Sequence, residues 1–133
     1  MTKMLVPYLA IVVVMMLLDA IWLGGVARPM YQRGIGHLMA DKPDFVAALL
    51  FYLFYAVGLM VFVVGPRAPG GWQAAAGYGA LFGFMGYMTY DLTNLATLRD
   101  WPLGLSLVDT AWGCVATGIA STAGKLVADR LGG

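Results

Sequence analysis

The sequence predicts an all-α fold, a four-helix transmembrane bundle running antiparallel, up-down-up-down. Three observations carry that prediction. The chain is 61% hydrophobic and only 11% charged, about half the charged share of an ordinary soluble domain. Four apolar segments each reach the ~20 residues that a helix needs to cross a bilayer. The connections between them are rich in glycine, proline and charge, as loops are. At 133 residues a single transmembrane domain spanning 1–133 is expected.

The first span is predicted at 4–26, "MLVPYLAIVVVMMLLDAIWLGGV". Lys3 in front of it gives a short basic start, but the apolar stretch is longer than a secretory core and contains Asp19, so it reads as a retained helix. The connection "RPMYQRGIGHLMADKPD" carries Pro29, Gly34, Gly36 and Pro43 and reads as a loop. The second span is predicted at 45–64, followed by a tight turn at "GPRAPGG". The third is predicted at 72–93. "NLATLRDWP" then reads as a loop in which Asp100 caps the fourth helix ahead of an early-turn proline, Pro102. The fourth span is predicted at 102–127.

Four spans put both termini on one side of the membrane. The basic residues split evenly: Lys3, Arg67, Lys125 and Arg130 on that side, Arg28, Arg33, Lys42 and Arg99 on the other. The positive-inside rule therefore sets no orientation, and cytoplasmic termini are expected only from Lys3 and the basic C-terminal end. A net charge of +1 leaves no basic surface for nucleic acid. The lone cysteine, Cys114, cannot form an internal disulfide and reads as a small buried hydrophobe. One histidine, His37, far from that cysteine gives no zinc, haem or iron–sulfur spacing, so no metal and no cofactor is expected. No nucleophile-and-base or phosphate-loop motif occurs, so no catalytic residue is assigned.

The polar residues fall in a pattern. Asp19 lies late in the first span, Asp91 late in the third and Asp109 early in the fourth. At 1.5 Å per residue, alternating threading brings all three into one half of the bilayer. Tyr52 and Tyr55 follow the entry of the second span from that same side. Tyr87, Tyr90, Thr93 and Asn94 surround Asp91. Trp22 and Trp112 each follow an aspartate by three residues and share its face. Gly79, Gly83 and Gly86 form a stripe that Tyr90 and Asn94 continue, with Asp91 on its shoulder. Small residues four apart allow close helix approach, within the chain or in a homodimer through these glycines. An aspartate inside a membrane is costly, by about 2.5–3.5 kcal/mol at a helix centre. Three at one depth are therefore expected to share a proton or a bound cation.

"LDAIWLG", "FYLFYAVG", "YMTYDLTNLATLRDWP" and "VDTAWG" resemble the bacterial integral membrane family labelled domain of unknown function 2177, over nearly the whole chain. The resemblance implies a small four-helix protein of the bacterial inner membrane, and no particular reaction. It also implies that Asp19, Trp22, Tyr90, Asp91, Thr93, Asn94, Trp101, Pro102, Asp109 and Trp112 are motif residues.

The expected function is binding or transport of a cation, a proton-coupled small solute or a lipid. The ligand pocket expected for it is lined by Asp19, Trp22, Tyr52, Tyr55, Tyr87, Tyr90, Asp91, Thr93, Asn94, Asp109 and Trp112. Arg28, Arg33 and Arg99 flank its mouth and suit an anionic headgroup. The alternative is an accessory or assembly subunit whose polar cluster is structural glue. A membrane-embedded enzyme acting on lipid, with an aspartate pair as acid and base, is the third reading. The lipid bilayer is the one partner all three share.

Overall fold

Helix α1 (Thr2–Ile21) ends in a π-helical turn, Trp22–Val26, and together they cover the first predicted span. These elements belong to a computed structural model that describes residues 2–65 and 70–132 and is helical throughout, with no strand among the described residues. Helix α3 (Phe45–Leu59) likewise runs into a π-helical turn, Met60–Val64, whose end coincides with the predicted one. Helix α4 spans Trp72–Thr97 and α5 spans Leu103–Arg130. The expected turn after the second span lies partly outside the described residues.

The structure departs from four helices and three loops in one respect. Arg28–Ile35, read as loop from its prolines and glycines, is a fifth helix, α2. Pro29 sits in its first turn, where the missing N–H has no intrahelical acceptor to lose. Tyr31 and Ile35, one helical turn apart, are buried against Ala27, Trp101 and Leu105.

Among the described residues, three helical stretches are long and apolar enough to cross a membrane: Thr2–Val26, Phe45–Val64 and Leu103–Arg130. The 26 residues of α4 extend about 39 Å, more than the ~30 Å hydrocarbon core. Its glycines, tyrosines, threonines and Asp91 keep it from joining those three as an apolar span. It also runs four residues past the predicted end. Thr89, Thr93 and Thr97 turn their hydroxyls onto the carbonyls of Met85, Thr89 and Thr93. That back-bonding pairs the polar side chains within the helix, and "TNLAT" is helical. Asp100 does not cap α5. It occupies the left-handed region at φ 60, which aspartate tolerates better than most residues, and α5 starts after Pro102 without a side-chain cap. The aspartate that does cap a helix is Asp44, which accepts from the Ala47 N–H at 3.1 Å at the start of α3.

Small residues set the packing of α5. One row four residues apart (Gly113, Thr117, Ser121) faces α4, where Gly79 lies against Ser121 and Gly83 against Gly113 and Thr117. A second row (Ala116, Ala120, Gly124) is buried on the α1 side, with Gly124 against Pro7 and Ile11. In both pairs rising numbers on one helix meet falling numbers on the other, so α5 runs opposite to both neighbours. A methyl group at Gly83 would collide with the Gly113 carbonyl, which is why only glycine permits this approach. Gly79 and Gly83 are thus buried inside the chain rather than offered to a second copy. Gly86 is exposed and lies beside the Tyr55 ring.

Candidate functional site

The three aspartates converge. Asp19 is 7% exposed, Asp91 0% and Asp109 7%. Each comes from a different helix: α1, α4 and α5. An ionisable carboxyl taken out of water needs donors or a neutralising partner, and here aromatic side chains supply most of the donors.

Asp19 is bonded on both oxygens. Its Oδ1 accepts from Trp112 Nε1 at 2.8 Å, and its Oδ2 accepts from the Tyr52 hydroxyl of α3. One carboxylate therefore ties α1, α3 and α5 together. Trp112 also stacks on Trp22, with ring centroids 4.5 Å apart and planes 4° from parallel. Trp22 in turn donates from Nε1 to the Tyr31 hydroxyl at 3.2 Å, and Tyr31 donates to Asp109 Oδ1. Trp112 thus serves the acid of the opposite helix directly, and Trp22 reaches the other through Tyr31; neither bonds the acid three residues before it. The repeated Asp-x-x-Trp spacing on two antiparallel helices makes that exchange possible. The π turn at Trp22–Val26 closes with Ala27 N–H on the Trp22 carbonyl at 2.8 Å. Such turns insert a residue into the helical ladder, and this one leads straight into the helix that brings Tyr31 back over Asp109.

Asp91 is held differently. Its Oδ2 accepts from Thr110 Oγ1 at 3.1 Å. Its Oδ1 is buried and has no hydrogen-bond partner; the other such atom among the described residues is Ser121 Oγ. A hydroxyl can rotate onto a carbonyl of its own helix, which a carboxylate oxygen cannot do. The Asp91 carboxyl lies beside that of Asp109. Nearby, Trp101 Nε1 donates to Ser106 Oγ at 2.9 Å, and that hydroxyl faces two acceptors, the Pro102 carbonyl at 3.2 Å and the Asp91 carbonyl at 3.4 Å. Trp101 therefore fastens the end of α4 to the start of α5.

Tyr31 joins the two ends of this network, and burial chiefly, then its bond to Asp109, pushes its phenol above its ordinary value. It remains a protonated donor across the physiological pH range. Sequence reasoning passed over Tyr31 because its segment read as loop. The available signal was Tyr31 and Ile35 one turn apart behind an early proline. Thr110 and Ser106 were also missed, and only their nearness to Asp109 could have suggested them.

Several expected pocket residues make no hydrogen bond to the aspartates. Tyr90 is 52% exposed and meets Trp101 edge-on, with centroids 5.6 Å apart. Thr93 is exposed and bonds back to its own helix. Asn94 is half-buried and makes no side-chain hydrogen bond to the acids. Tyr55 pairs with Thr117 Oγ1 at 2.8 Å, apart from the aspartates, and the Tyr87 ring packs on Gly113. The physical reason is the packing row. The buried face of α4 is Ala75, Gly79, Gly83 and Asp91, which advances by multiples of four. The expected stripe followed an average helical period instead and carried Tyr90 onto the seam in place of Asp91. Arg28, Arg33 and Arg99 are exposed. The ion pair found among the described residues is elsewhere, Lys125 with Asp129 at 3.2 Å, so these arginines do not neutralise the acids. No cluster of three or more metal-ligating side chains occurs among the described residues.

Long apolar helices enclosing buried acids define an integral membrane protein. Residues 4–126 match the family model described as "Predicted membrane protein (DUF2177)", and the chain belongs to that family. No curated protein and no solved structure matches the chain.

Proposed function

We propose that this chain is a proton-coupled binding or transport protein, a single four-span bundle in the bacterial inner membrane with both termini on the cytoplasmic side. In this reading α4 is the third of the four spans, shielded by α5. The site is the polar end of the bundle, where Asp109, Asp91 and the Trp22–Tyr31 pair meet. The observation that carries the reading is the convergence of three buried aspartates from three helices. Each is costly in hydrocarbon, and intramembrane acids at one place mark ion and proton pathways more often than they mark packing.

The test uses the purified protein in vesicles of neutral lipid with a pH-sensitive dye trapped inside. A potassium gradient with valinomycin imposes the membrane potential. Proton entry should exceed that of protein-free vesicles, and both Asp91→Asn and Asp109→Asn should return it to that background. Wild-type entry equal to the background, or entry indifferent to both substitutions, would overturn the proposal.

A second reading has its own support. Both Asp19 oxygens are already occupied by protein donors, which fits a structural clasp. We assign Asp19 that role within the same protein, and leave ligand chemistry to Asp91 and Asp109.

A further inference from the structure

We propose that Asp91 and Asp109 hold a single proton between them, carried on Asp91 Oδ1 and donated to Asp109. This deepens the reading above by naming the ligand of the site.

The argument rests on donors and acceptors. Two ionised carboxylates are acceptors only, so side by side in a buried place they repel and bond to nothing in common. Asp91 Oδ1 is fully buried and lacks any protein donor, and the Asp91 carboxyl lies within hydrogen-bond reach of the Asp109 carboxyl. One proton removes the repulsion and turns the orphaned oxygen into a donor. The remaining contacts decide which acid carries it. Asp109 already receives the Tyr31 O–H, a bond that favours the ionised form. Asp91 receives only the hydroxyl of Thr110. The proton therefore belongs to Asp91 and the charge to Asp109.

The other groups facing the pair are few. On α2 there is Tyr31, on α4 Tyr87 and the exposed Tyr90, and on α5 Ser106 and Thr110. Asp19 of α1 is occupied by Trp112 and Tyr52. No lysine or arginine pairs with either acid among the described residues, so no fixed cation competes with the proton for the role.

The experiment counts protons. Purified protein in weakly buffered detergent at pH 7 is unfolded with SDS in the presence of an indicator dye. An unfolded aspartate is ionised at that pH, so the wild type should release one more proton per chain than Asp91→Asn. Asparagine offers an N–H where the protonated acid offered its O–H, which should keep that variant folded. Asp109→Asn, a second variant in case the first fails to fold, should also lose the proton, because its amide can donate to an ionised Asp91. Exposed Asp41→Asn serves as the control with an unchanged count. In the folded protein, the infrared carbonyl band of a protonated carboxyl should be present and should vanish in Asp91→Asn. Equal proton counts for wild type and both pair variants would overturn the proposal. So would a count that falls as sodium or potassium chloride is raised at fixed pH, since the occupant would then be a metal cation. A correct count combined with vesicle flux indifferent to the pair would retain the bound proton and remove the transport reading, so the two failures are separable.

Discussion

The two ends of the acid network are made of the same residue types and are finished differently. At Asp19 each oxygen has a strong donor from another helix, and the acid is closed. At Asp91 one oxygen has a hydroxyl and the other has nothing but a second acid. A saturated buried carboxylate works as a fastener, because removing it strands its donors. An unsaturated one is costly as it stands, and that cost is relieved only by a mobile partner. The difference separates fold-holding chemistry from ligand-holding chemistry within one network.

The comparison predicts unequal losses of stability. The largest belongs to Asp19→Leu, which leaves Trp112 Nε1 and the Tyr52 hydroxyl without acceptors. At about 1–3 kcal/mol for each of the two stranded donors, unfolding in SDS should show a loss of roughly 2–6 kcal/mol. A loss below about 1 kcal/mol would mean that Asp19 is no clasp. Tyr31→Phe comes next. It removes the donor to Asp109 and the acceptor of Trp22 together, and should cost about 2 kcal/mol. It should also weaken the dependence of stability on Asp19, since Tyr31 links the two ends; a double-mutant cycle measures that coupling. Trp22→Leu is smaller. It removes an aromatic stack worth about 0.5–1.5 kcal/mol along with an N–H whose bond at 3.2 Å is long.

Much of this was legible in the sequence. The bounds of the second span, 45–64, follow from its apolar run and coincide with α3 and its π turn. The convergence of the three acids needs only span order and rise per residue, and it does not depend on any side chain's rotamer. What stayed hidden turns on phase and on tertiary choice. Asp91 reaches the seam because small residues steer α4 along a row of fours, carrying the contact line away from the average period. A stripe drawn at 3.6 residues per turn favours Tyr90 over Asp91 by construction. Tyr31 stayed hidden for a different reason. Pro29, Gly34 and Gly36 are loop markers by composition, and α2 is a helix because Tyr31 and Ile35 find a buried surface on Trp101 and Leu105. That surface exists only once α4 and α5 are joined. Asp100 likewise sits where a cap is statistically expected, but the turn it occupies is fixed by Trp101 bonding to Ser106.

The smallest effect sharpens the contrast most. Asp91 is the most deeply buried of the three acids, and by burial alone its replacement should be the worst tolerated. If its occupant is a proton, Asp91→Asn keeps the shape, the acceptor for Thr110 and a donor towards Asp109, so every bond in the place survives. The expected change is under about 1 kcal/mol, the difference between one neutral donor and another. Asp91→Leu, of comparable bulk but with neither donor nor acceptor, should cost more, because Thr110 and Asp109 then lose their partner together. Comparing these two variants with Asp19→Asn in the same SDS titration tests the division directly. Asparagine at 19 offers one acceptor oxygen where Tyr52 and Trp112 need two, so it should be the more damaging of the two asparagine variants. Equal damage at both sites would mean that Asp91, too, is held as an ionised acceptor, and the distinction between the two ends would be lost.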